Sequence, residues 1–181
     1  MPHNSQPELW RDLFVMFGGA AASLIGLLFV VMSLYFNAIR EGPNYNLAAT
    51  IHAARNNTYH LLTVFVTSVL ALTPQPPFAL GVELVGLHLF GLRLPALFTY
   101  QHYIKNHGNF PIAMVATISS GYSLGAIGGV GLILHAGWAL FLVTASCTLL
   151  VVRTVLTAWM LMFERRQHEV ANSKMNAARA G

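Results

Sequence analysis

The sequence predicts an all-α polytopic membrane protein with five transmembrane helices and one interfacial helix. Three observations carry this. Of 181 residues, 55% are apolar and only 9% are charged, whereas ordinary soluble domains carry about 25% charged residues. Five apolar stretches run along the chain, separated by prolines, glycine or charge. The basic residues fall almost entirely on one side of the membrane those stretches imply. Mean hydropathy is +0.58. Ten basic and six acidic residues cannot cover a soluble surface of this size. A single cysteine and no charged repeat exclude a disulfide scaffold and a coiled coil.

The first span is Leu13 to Phe36, uncharged throughout and roughly 36 Å long as a helix, enough to cross a bilayer. Glu8 and Asp12 flank Arg11 ahead of it, so it does not read as a cleaved signal peptide. Gly42-Pro43 ends this helix, and Asn44 or Asn46 is placed to cap the next. Leu47, Ile51 and Ala54 form an apolar stripe. Residues 46–58 therefore read as an interfacial helix running into the second span, Tyr59 to Thr73. His52, Asn56, His60, Thr63 and Thr67 lie on one stripe of that combined helix. Such a stripe serves interhelical hydrogen bonds or lines a water-filled path.

Thr73-Pro-Gln-Pro-Pro77 forces a tight hairpin, because proline cannot continue a helix. The third span is Phe78 to Leu94, interrupted by Glu83, His88 and Arg93. A polar loop follows from Leu94 to Phe110, carrying His102 and His107. The fourth span is Pro111 to His135, and the fifth is Trp138 to Phe163, with the break near Gly137. The tail from Glu164 continues the fifth helix for a few turns before fraying. Residues 1–163 thus form one transmembrane domain, with 164–181 a cytoplasmic tail.

Charge sets the orientation. Arg40, Arg55, Arg93, Lys105, Arg165, Arg166, Lys174 and Arg179 share one side, and Arg11 stands on the other. The positive-inside rule then puts the N-terminus out and the C-terminus in. Trp10 and Trp138 fall at outer ends; Tyr35, Tyr100, Tyr103 and Trp159 fall near inner ends. This bias explains the basic pI, so nucleic-acid binding is not implied.

Gly121, Gly125 and Gly129 put three bare positions on one face of the fourth span. Gly18, Ala22 and Gly26 do so more weakly on the first. Close helix contact follows, within the chain or between copies. Glu83 and Arg153 are ionisable groups at membrane depth, costly and therefore functional candidates. Each lies ten residues before an inner boundary, at Arg93 and Phe163, so an intramembrane ion pair is expected if their helices are neighbours. His88, His102 and His107 are candidate ligands or titrating groups. No tight metal-ligand spacing is present, so haem or metal is a minor alternative and no cofactor is expected. No phosphate loop, nucleophile elbow or zinc-protease motif is found, so the chain reads as non-enzymatic.

The segments Gly26-Leu-Leu-Phe-Val-Val-Met-Ser-Leu34, Gly81-Val-Glu-Leu84 and Ala158-Trp-Met-Leu-Met-Phe-Glu164 resemble a largely uncharacterised family of small bacterial five-span inner-membrane proteins. The resemblance implies a cytoplasmic-membrane location and a shared role for Glu83. It implies no activity. The expectation is a homo-oligomer joined through the glycine face, forming a pore or channel. The alternatives are an accessory subunit of a larger membrane complex and a haem- or metal-dependent membrane oxidoreductase.

Overall fold

A computed structural model describes residues 7–39, 47–106 and 112–180, with side chains placed over 10–33, 51, 54–93 and 116–159. The described residues are helical apart from two short turns. The helices are α1 (Pro7–Ile39), α2 (Leu47–Leu72), α3 (Pro77–Asn106), α4 (Ile112–Ile133) and α5 (Ala139–Ala180). Three of them, α1, α4 and α5, contain segments long and apolar enough to cross a membrane. By length α2 and α3 also suffice, at roughly 39 and 45 Å. Helix α2 falls short on hydropathy because it carries polar side chains such as His60 and Thr67, which turn out to be buried; in α3 the polar His88 is buried as well.

Helices α2, α3, α4 and α5 close a ring in which each packs on the next and α5 returns to α2. Helix α1 lies outside the ring against α2. Trp10 of α1 also meets Phe141 of α5 edge-on, with ring centroids 4.8 Å apart. One core layer joins Phe14, Leu84, Leu132, Ala139 and Val143. A second, further along the helices, joins Phe17, Val64, Ile118, Tyr122, Cys147 and Leu150. Large apolar side chains such as Phe29, Leu62, Phe90, Ile127 and Leu156 point outward. An apolar perimeter around buried polar groups suits a lipid surround, where no water rewards polar exposure.

Four sequence expectations change. The interfacial segment and the second span form one continuous helix, Leu47–Leu72, as their junction without a break implied, so the chain has five helices and not six elements among the described residues. Helix α3 does not end at Leu94 but runs through Pro95 to Asn106. Pro95 lacks the N–H that would serve the Gly91 carbonyl, a defect that membrane helices tolerate. The supposed loop 94–110 is therefore mostly helix. Helix α5 does not fray early and extends to Ala180. Lastly, Gly137 is not the residue that turns the chain after α4.

That role falls to His135, whose φ of 53° is left-handed. Its N–H donates to Leu132 O at 3.1 Å, and Ala136 N–H donates to Gly131 O at 2.8 Å. This pair of bonds is a Schellman cap, with histidine where glycine is usual. The other hairpin is held by Gln75. Its Nε2 donates to Leu70 O at 3.1 Å and to Glu83 Oε2 at 2.9 Å. One side chain thus caps the end of α2 and ties it to α3. Pro77 opens α3, where a missing N–H costs nothing.

Candidate functional site

The α2 stripe faces the inside of the ring. Asn56, His60, Thr63 and Thr67 are all buried, and Ser68 joins them. The i, i+4 spacing put them on one side of the helix, and packing turned that side inward. The His52 side chain lies outside the described residues, as do those of His102 and His107. Thr63 and Ser68 satisfy themselves by donating to the carbonyls of Tyr59 and Val64, each at 2.9 Å. His60 reaches across the ring, and its Nδ1 lies 2.9 Å from the Tyr122 hydroxyl of α4. Asn56 Oδ1 and Thr67 Oγ1 are buried with no partner.

His88 is fully buried on the opposite side of Tyr122. The two histidine rings lie 5.6 and 6.2 Å from the Tyr122 ring. His88 Nδ1 is 2.9 Å from Leu84 O, one turn back in its own helix. Its Nε2 is 3.3 Å from Ser146 Oγ of α5. Ser146 in turn donates to Gly121 O of α4 at 2.7 Å. Four helices therefore meet in one polar cluster: His60, His88, Tyr122 and Ser146.

Glycines make room for it. A Cβ on Gly125 would run into the His88 ring, and one on Gly91 would run into the Tyr122 ring. Each bulky polar ring sits over a bare backbone on the facing helix. Gly129 meets the Gly81 carbonyl, and Gly121 meets Leu150. The glycine face of α4 is thus filled by α3 and α5 of the same chain. It is not free to join a second copy, which corrects the expected homo-oligomer interface. On α1, Gly18 packs against Ser68, while Gly26 has nothing within 4 Å of a built Cβ and Ala22 is exposed.

Glu83 and Arg153 do not meet, and the expected ion pair is corrected. Glu83 is exposed and bound to Gln75. Arg153 Nη1 donates to Thr117 Oγ1 of α4, and its buried Nε has no partner. The depth argument failed at its reference point. Counted from the N-terminal ends of their helices, Glu83 is six residues into α3 and Arg153 is fourteen into α5. The eight-residue difference is about 12 Å of helix.

Tyr122, Ser146 and Thr117 went unread in the sequence. Tyr122 had a signal, because it stands in mid-helix, far from the interfaces where tyrosine usually lies, and its hydroxyl needs a partner there. Among the described residues, no three His, Cys, Asp or Glu side chains gather as a metal site would need. Cys147 is a buried free thiol.

The fold and site define an α-helical bundle with an apolar exterior and a polar centre, three of its helices able to cross a membrane. No family model, curated protein or solved structure matches this chain.

Proposed function

We propose that the chain is a five-span integral protein of a bacterial cytoplasmic membrane, N-terminus out, whose α2–α5 ring encloses a polar permeation path. The path lies within one chain, since its lining comes from four helices of that chain. One observation carries this reading. Buried polar groups line the ring from Asn56 to Thr67, and the atoms left without partners belong to that lining: Asn56 Oδ1, Thr67 Oγ1 and Arg153 Nε. A buried polar atom without a partner costs about 1–3 kcal/mol, more when the group is charged. Water or a passing solute is the natural occupant of such positions.

Purified protein reconstituted into liposomes tests the reading. A flux of protons, ions or small neutral solutes above protein-free vesicles is the expected result. Monodisperse, folded protein that carries none of them overturns it.

A further inference from the structure

While Ser146 donates to Gly121 O, the hydrogens around His88 do not balance for a neutral ring. Leu84 O can only accept, so the 2.9 Å contact puts a proton on Nδ1. A neutral imidazole then has a bare lone pair on Nε2. Ser146 is the group beside it, at 3.3 Å, and its single hydroxyl proton already points to Gly121 O at 2.7 Å. Two acceptors share one hydrogen, and the shorter bond takes it. With a second ring proton on Nε2 the count closes. Nδ1–H serves Leu84 O, Nε2–H serves Ser146 Oγ, and Ser146 O–H serves Gly121 O. Three hydrogens then meet three acceptors.

The neutral state is also reachable at low cost. Gly121 O belongs to α4 and has a helical N–H partner of its own, so it can release the Ser146 hydroxyl. That hydroxyl then rotates to Nε2. The cluster is a two-position device in which one rotor tracks one proton.

We propose that the species carried through the ring is the proton, held in transit on His88 Nε2 while the Ser146 hydroxyl switches between Nε2 and Gly121 O. This rests on the permeation reading above. The step adds a proton, supplied by water on one side of the membrane, to the Nε2 lone pair and later returns it to water on the other. No bond between heavy atoms changes and no electron is transferred. The surroundings favour release of that positive charge over its retention, because the ring is buried. From α4 the ring faces Tyr122 and bare Gly125; from α5 it faces Ser146, with buried Cys147 next in sequence. From α2, His60 stands beyond Tyr122, bonded to its hydroxyl. Arg153 is seven residues further along α5 from Ser146, roughly 10 Å of helix. The carboxylates whose side chains are described, Asp12 and Glu83, are both exposed, so neither clamps the ring in its charged form.

The test uses liposomes holding the full chain, with a pH-sensitive dye inside and parallel vesicles assayed for potassium, chloride and glycerol. Wild-type protein is expected to carry protons. His88→Gln is expected to lower proton flux on the order of 100-fold, the low end of what a positioned proton-transfer group contributes. Ser146→Ala keeps the histidine but removes the rotor, and is expected to lower flux about tenfold, the worth of one hydrogen bond, and to shift its pH profile. Wild-type flux of potassium, chloride or glycerol without protons overturns the proposal and leaves the path standing. No flux of any species overturns the path itself. Unchanged proton flux in folded His88→Gln removes His88 as the carrier. Should that variant not fold, an unaltered rate and pH profile in Ser146→Ala does the same.

Discussion

At the scale of single residues, the decisive contact is His60 Nδ1 against the Tyr122 hydroxyl, 2.9 Å in a site where both side chains are buried. The bond joins α2 to α4 across the ring, so losing it costs stability. Tyr122→Phe is expected to cost about 1–3 kcal/mol, read as a lower melting temperature in lipid nanodiscs. Combining it with His60→Leu should cost clearly less than the sum of the two single changes. A strictly additive cycle would mean that the bond does not form. Glu83 and Arg153 predict the opposite behaviour. Because Gln75 holds the first and Thr117 the second, losses from Glu83→Gln and Arg153→Gln should add within about 0.5 kcal/mol. A double variant that recovers much of the loss would show a pair after all. Residue chemistry alone suggested that pair, since two opposite charges at membrane depth attract attention. What misled was the choice of ruler. Depth had been counted from the inner side, and α3 runs past that mark to Asn106.

At the scale of helices, bulk is traded against bare backbone. His88 fits because Gly125 has no side chain, and Tyr122 fits because Gly91 has none. Gly125→Ala should therefore destabilise the bundle by about 1–3 kcal/mol, the usual cost of overpacking. His88→Ala in the same chain should relieve part of that clash, even though His88→Ala alone loses stability. Equal losses from Gly125→Ala with and without the histidine would contradict the contact. The glycine repeat itself was plain in the sequence, since a four-residue period marks one helix face. Which partner filled the face was not, because an intramolecular neighbour and a second copy ask for the same bare surface. The α2 stripe was legible for a similar reason, its period of three and four placing Asn56, His60, Thr63 and Thr67 together. Tyr122 and Ser146 escaped notice because each is one of several hydroxyl-bearing residues nearby in an otherwise apolar helix. They become a site only when four helices converge.

At the scale of the whole molecule, the ring of α2 to α5 with α1 outside explains why α2 falls short on mean hydropathy among the described residues. A window average sums over every face of a helix. Helix α2 turns polar groups inward and apolar ones such as Leu62 outward, so its average understates how apolar its outer side is. Five spans with the basic residues inside predict a definite labelling pattern. With Cys147 replaced by Ala, a single cysteine at Gln75 or Gly137 should react with a membrane-impermeant maleimide from outside the cell. A single cysteine at Asn44 or Lys174 should react only after the membrane is opened. Outside labelling at Asn44 would break the five-span topology.

Composition, period and charge placement were enough to decide that the chain is helical, that its surface is apolar, and which face of α2 is polar. These are properties of each segment taken by itself, summed from residues a few positions apart. The convergence of His60, His88, Tyr122 and Ser146, the separation of Glu83 from Arg153, and the filling of the α4 glycines by the chain's own helices belong to the tertiary structure. They depend on which helix stands beside which and at what height, and those follow from shape complementarity between surfaces far apart in sequence, such as Gly125 beneath His88, which no local pattern encodes.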